Sequence, residues 1–130
     1  MANANVLITS QPEKYKTVIT ASGHTLLGDE PVSEGGADTG PNPYEYFLSS
    51  LGLCTAITLR MYADRKEWKL DKVTVELELN KTEAGNEIKR RVSVSGELDE
   101  EQKNRLLKIA NSCPVHKILN APLAIFTELS

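Results

Sequence analysis

The chain has 130 residues, 40% hydrophobic and 25% charged, with a net charge of −3 at pH 7, the proportions of one globular domain spanning 1–130. That charge argues against nucleic acid as a partner, because Lys89, Arg90 and Arg91 sit beside Glu87 and the RKEWK run alternates with acid. No apolar run approaches the roughly 20 residues of a membrane span, and MANANVLITSQPEKYK lacks the basic start and apolar core of a secretion signal. A cytoplasmic protein with no membrane partner is expected. In that setting the sequon Asn80-Lys81-Thr82 is idle, and Cys54 and Cys113 are expected to be free, catalytic or metal-bound sooner than bridged for structure.

In chain order, residues 5–9 (NVLIT) and 14–21 (KYKTVITA) are β-branched runs parted by the turn QPEK, and Ser22-Gly23-His24 turns tightly into HTLLGDE. The N-terminal third is predicted as a small antiparallel meander. Residues 29–41, DEPVSEGGADTGP, hold paired glycines and prolines and are expected to be irregular. GGADTGP lacks the lysine and spacing of a phosphate loop. Residues 42–66 are predicted as one long helix, with Asn42 as N-cap, Pro43 at N1 and Glu45 at N3 completing a capping box. Apolar and small residues surround residues 46–57 on every side, so burial all round is expected. At about 1.5 Å per residue its length is on the order of 36 Å, more than so small a domain crosses with its own core. A second subunit is needed to cover it.

Val73, Val75, Leu77 and Leu79 alternate with polar residues as in a half-buried strand, and Glu83-Ala84-Gly85-Asn86 turns the chain back. In the return strand Ile88, Arg90, Val92 and Val94 alternate with Lys89, Arg91, Ser93 and Ser95, which predicts a hairpin with one solvated face. Asp99 caps a second helix, with Gln102 as N3 partner and Leu106, Leu107, Ile109 and Ala110 as its stripe. That helix is expected to stop at Cys113, because Pro114 disfavours helical geometry before it. Pro114 opens a short helix, PVHKIL, with Cys113 at its N-cap, and residues 123–129, LAIFTEL, are expected to form a last strand. The order ββ(β)–α–ββ–α–α–β is that of an α+β domain without repeats or linkers.

The thiolate is the reacting form of cysteine, and an ordinary thiol is only about 3% thiolate at pH 7. Cys113, at an N-cap, faces free amides, with His116 one turn on and Lys117 beside it. Cys54 lies mid-helix beside Ser50, Leu51, Ile57 and Thr58, a setting that by itself raises its pKa. As a nucleophile it needs charge from another element or subunit; lowering its pKa by two units takes about 2.7 kcal/mol. The competing reading is a small buried hydrophobe. Cys113-Pro-Val-His116 also has the C-x-x-H spacing of a ligand pair, which Cys54 and His24 would extend to a Cys2His2 set, although those ligands are scattered rather than paired. His24 reads most simply as a solvated turn residue, and Tyr62, Trp68 and Phe126 as core or interface.

GGADTGPNPYEYFLSSLGLC and SCPVHKIL, with this order of elements, resemble the OsmC/Ohr superfamily of small thiol proteins over nearly the whole chain. The resemblance implies an OsmC-like α+β fold, antiparallel sheets wrapped around the long cysteine-bearing helix in an intertwined homodimer. It implies a thiol-dependent peroxidase acting on organic hydroperoxides. Cys54 would attack the terminal peroxide oxygen and become a sulfenic acid, and Cys113 would condense with it to a disulfide that an external dithiol reduces. No cofactor or metal ion is expected. Two positions depart from the family. Its glutamate after the loop proline is Tyr44 here, with Glu45 on the face opposite Cys54. Its thiolate-stabilising arginine lies in the N-terminal strands, whereas no arginine precedes Arg60, itself well off the cysteine's face. Lys14 or Lys16 would substitute as a point charge without arginine's fork. These departures support a second reading, a non-enzymatic protein binding a small organic ligand in the dimer-interface cleft.

Overall fold

The computed structural model describes residues 4–130. They form two compact units, one ending at Phe47 and the other Leu48–Ser130.

In the first unit, β1 (Leu7–Ser10), β2 (Thr17–Ala21) and β3 (His24–Gly28) make an antiparallel sheet in that order. The β2–β3 pairing closes at Ala21 and His24 around a two-residue turn, with Ser22 at φ 50° and Gly23 at φ 82°. Left-handed geometry at both positions gives the turn whose twist matches the flanking strands.

The expected irregular loop after β3 contains one short 3-10 turn, Val32–Glu34, and is ordered by Asp29, which is 3% exposed. Its Oδ1 accepts from the amides of Tyr15 (2.9 Å) and Glu30 (2.7 Å), and its Oδ2 from the amide (3.1 Å) and hydroxyl (2.6 Å) of Thr39. These bonds, the Thr39 hydroxyl first, hold the carboxyl well below the usual carboxylate range despite its burial. Gly40 is required because a Cβ there would collide with the Leu27 carbonyl.

Helix α1 (Pro43–Arg65) begins where the sequence predicts. Asn42 Oδ1 accepts from the Glu45 amide and Glu45 Oε1 from the Asn42 amide, both at 2.9 Å. Glu45 is therefore committed to the cap.

In the second unit, β4 (Lys69–Thr82) and β5 (Gly85–Glu97) form one long hairpin, with Gly85 inside β5 and only Glu83 and Ala84 in the turn. The register slips between Leu70 and Lys72, and Arg60 closes the gap by donating to the carbonyls of Leu70 (2.5 Å) and Asp71 (2.9 Å). Leu51, Thr55, Leu59 and Ala63 make one buried stripe of α1. Leu59 and Ala63 pack with Leu70, Leu106 and Ala110 into the core, where Tyr62 and Trp68 meet edge to face at 5.5 Å. Helix α2 (Glu100–Ala110) carries the predicted Asp99/Gln102 capping box, and α3 (Pro114–Leu119) has Cys113 at its N-cap.

Within one chain helix α1 is covered on one side only: Leu53, Ile57 and Met61, spaced four apart opposite the buried stripe, are 64%, 44% and 56% exposed, the face for which a second subunit is expected. Several other expectations are corrected. Helix α2 ends at Ala110 rather than Cys113, since the amides of Asn111 and Ser112 already bond carbonyls only three residues back, and Leu107 is exposed. Residues 123–129 pair with no described strand, leaving Phe126 93% exposed. An extended segment becomes a strand only when an edge accepts its backbone hydrogen bonds. Among the described residues no helix is long and apolar enough to cross a membrane.

Candidate functional site

Cys54 and Cys113, 59 positions apart, come into contact in the second unit, with Cys54 on α1 half-buried and Cys113 fully buried. The first turn of α3 serves both sulfurs. Pro114 has no amide to offer, the Val115 amide bonds the Cys54 thiol, and the His116 amide donates to Cys113 Sγ at 3.3 Å. Burial pushes the Cys54 thiol up, the Val115 amide pulls it back, the neighbouring Cys113 pushes it up again and the Thr58 hydroxyl pulls it down. The balance lies above its ordinary value, because one amide and one hydroxyl do not replace lost water.

A guanidinium stands behind this pair. Arg90 occupies the inner face of β5 between Ile88 and Val92, opposite Leu77 on β4. Its Nη1 donates to Thr55 Oγ1 at 3.0 Å, and its Nη2 donates to Asn111 Oδ1 at 2.8 Å and lies 3.2 Å from His116 Nδ1. Thr55 Oγ1 donates its own proton to the Leu51 carbonyl at 2.7 Å and sits 3.9 Å from Cys113 Sγ. A hydroxyl has one proton to give, so the Cys113 S–H is the donor towards Thr55 in this arrangement. Arginine only donates, so His116 Nδ1 accepts, and the ring is the neutral imidazole protonated on Nε2. Burial first, then the charge of Arg90, holds the His116 pKa below its ordinary value. Beside this network opens a cleft of about 550 Å³, with Leu51, Ile88 and Leu119 as its apolar wall and Arg90, His116 and Glu87 among its polar groups.

Of the residues singled out from the sequence, Cys54, Cys113 and His116 meet here. Lys14, Lys16 and His24 belong to the first unit, and among the described residues no three His, Cys, Asp or Glu groups are placed to hold a metal ion, so the Cys2His2 set is not assembled. Tyr44 is exposed. Thr55, Asn111 and Arg90 were missed as site residues. One signal was legible: Arg90 is the charged member of the inward series Ile88, Arg90, Val92, Val94, and a guanidinium on an apolar face requires partners.

The family model described as OsmC-like protein matches residues 35–128. No curated protein matches the chain. Among solved structures, the chain is similar to an OsmC-like protein from Mycoplasma pneumoniae (TM-score 0.78, 16% identity, covering 91% of this chain and 87% of that one). It is also similar to the organic hydroperoxide resistance protein OhrB of Bacillus subtilis (TM-score 0.64, 23% identity, 92% and 91%). An organic hydroperoxide resistance protein from Elizabethkingia anophelis gives a TM-score of 0.69 at 18% identity, covering 92% and 89%.

Proposed function

The chain belongs to the OsmC-like protein family, and from that premise we propose that it is a cysteine-based redox protein that reduces organic hydroperoxides through Cys54 and Cys113. The observation that carries the reading is the contact of these two thiols at the first turn of α3. Names of structures with the same fold point the same way, since those from Bacillus subtilis and Elizabethkingia anophelis are called organic hydroperoxide resistance proteins.

Cys54, the more accessible sulfur, attacks the terminal peroxide oxygen. An S–O bond forms, the O–O bond breaks, and the alkoxide leaves with a proton as an alcohol. Cys113 then attacks the sulfenic sulfur; the S–S bond forms, the S–O bond breaks, and hydroxide takes the Cys113 proton to leave as water. An external dithiol returns the pair to the reduced state by exchange. The protein works as a homodimer in which a second copy covers Leu53, Ile57 and Met61.

Intact mass and peptide mapping after one equivalent of cumene hydroperoxide test the scheme. Loss of two hydrogen atoms, their electrons taken by the peroxide, with a linked Cys54–Cys113 peptide is expected, and two alkylatable thiols at unchanged mass would overturn it. One observation favours a second reading, a non-enzymatic binder of a small organic ligand in the dimer-interface cleft: burial holds Cys54 towards its unreactive thiol form. Native mass spectrometry of the purified protein would then show a bound small molecule, and an empty protein would count against it.

A further inference from the structure

The scheme above gives Arg90 no task, yet its placement is costly. A guanidinium on the apolar face of a hairpin loses water, and none of the ion pairs among the described residues compensates it. Its partners Thr55, Asn111 and His116 are uncharged here, and they belong to three parts of the chain: α1, the turn after α2, and α3. Two of them adjoin the thiols. Thr55 follows Cys54 in sequence and lies against Cys113 Sγ, while the His116 amide bonds Cys113 Sγ directly. One planar group therefore reaches Cys113 by two routes, a side chain and a backbone.

We propose that Arg90 is the positioning residue of the thiol pair: its fork clamps Thr55 and His116 around Cys113, holding the Thr55 hydroxyl as an acceptor and His116 as the Nε2–H imidazole. This rests on the reading of Cys54 and Cys113 as a redox couple and deepens it. The donor inventory forces the assignment. Because Arg90 cannot accept, Thr55 must direct its proton away from it, and does so to Leu51; this leaves an oxygen lone pair facing the sulfur. For the same reason His116 Nδ1 must be bare. With Thr55 and α3 locked, Cys113 stays in one orientation towards Cys54, the condition for rapid closure of a disulfide. Lysine would keep the charge but has no planar fork to serve Thr55, Asn111 and His116 together.

The test combines a measurement on unaltered protein with two variants. Nitrogen-15 NMR of wild-type protein at pH 7 should find His116 bare at Nδ1 and protonated at Nε2; a proton on Nδ1 overturns the proposal. Closure of the pair is then followed by mass spectrometry during exchange with oxidised dithiothreitol, which becomes reduced as the protein disulfide forms. Arg90→Met and Arg90→Lys should each slow closure by about tenfold or more, the loss of at least one charge-assisted hydrogen bond, and should admit the Nδ1–H tautomer. Arg90→Lys closing at the wild-type rate overturns the clamp. If Arg90→Met does not fold, the wild-type tautomer and Arg90→Lys still decide. Exchange needs no peroxide, so wild-type protein that closes its pair here but leaves cumene hydroperoxide untouched ends the peroxidase reading and leaves the clamp standing.

Discussion

Cys54 and His116 are displaced in directions that have measurable consequences. Burial first, with the neighbouring Cys113, holds Cys54 above its ordinary value of 9.0 against the opposing pull of the Val115 amide and the Thr58 hydroxyl. Peptide-resolved alkylation by iodoacetamide at Cys54 should keep accelerating through pH 9, and a plateau below pH 8 would contradict the burial argument. His116 has a folded pKa below its ordinary 6.5, so the unfolded chain binds its proton more readily. Its contribution to stability is therefore fully present above about pH 6.5 and is lost as pH falls through the lower, folded value. The charged and titratable groups around it are Arg90 on β5, Glu87 in the shared cleft, and the thiols beside α3. Urea unfolding at pH 7.5 and 5.5 should show a smaller loss for His116→Gln than for wild type; equal losses would place the acid sensitivity elsewhere.

Elements are held by different forces in the two units. In the second unit α1, α2 and the start of the hairpin share an apolar core centred on Leu59, which is fully buried. Leu59→Ala should cost about 3 kcal/mol, the lost transfer energy plus an unfilled cavity, read as a shift in the urea midpoint. In the first unit the loop after β3 depends on one carboxylate that accepts four hydrogen bonds. Asp29→Asn would put an amide donor among donors, so limited proteolysis at pH 7 should nick residues 30–40 far faster in the variant than in wild type. Equal cutting would show that the glycine-rich backbone orders itself. The sign for acid is also defined. The folded Asp29 pKa is depressed, so its stabilisation is present above the unfolded value near 3.8 and fades as pH falls below it.

At the scale of the whole molecule, apolar surface stands exposed on the single chain. Leu53, Ile57 and Met61 make a stripe on α1, and Ile125 and Phe126 are more than four-fifths exposed. Such surface is rarely left to water in a stable protein. Light scattering after gel filtration should give twice the chain mass of 14.3 kDa, and Ile57→Glu should give the single mass. A wild-type monomer would remove the dimer and with it the ligand cleft of the second reading.

What the sequence by itself determined is whatever depends on near neighbours. The Asn42/Glu45 and Asp99/Gln102 boxes, the alternation of β4 and β5, and Cys113 at a helix start all involve residues one to four apart, and each appears in the structure. The meeting of Cys54 with Cys113 was legible only through resemblance, since nothing local relates residues 59 positions apart. Tertiary structure decided the rest. Arg90 finds partners 35, 21 and 26 positions away, brought together only once hairpin register and helix packing set its side chain opposite them. Residues 123–129 failed as a strand for the same kind of reason: an apolar run is a property of the segment, whereas a ladder requires an edge that another part of a chain must supply.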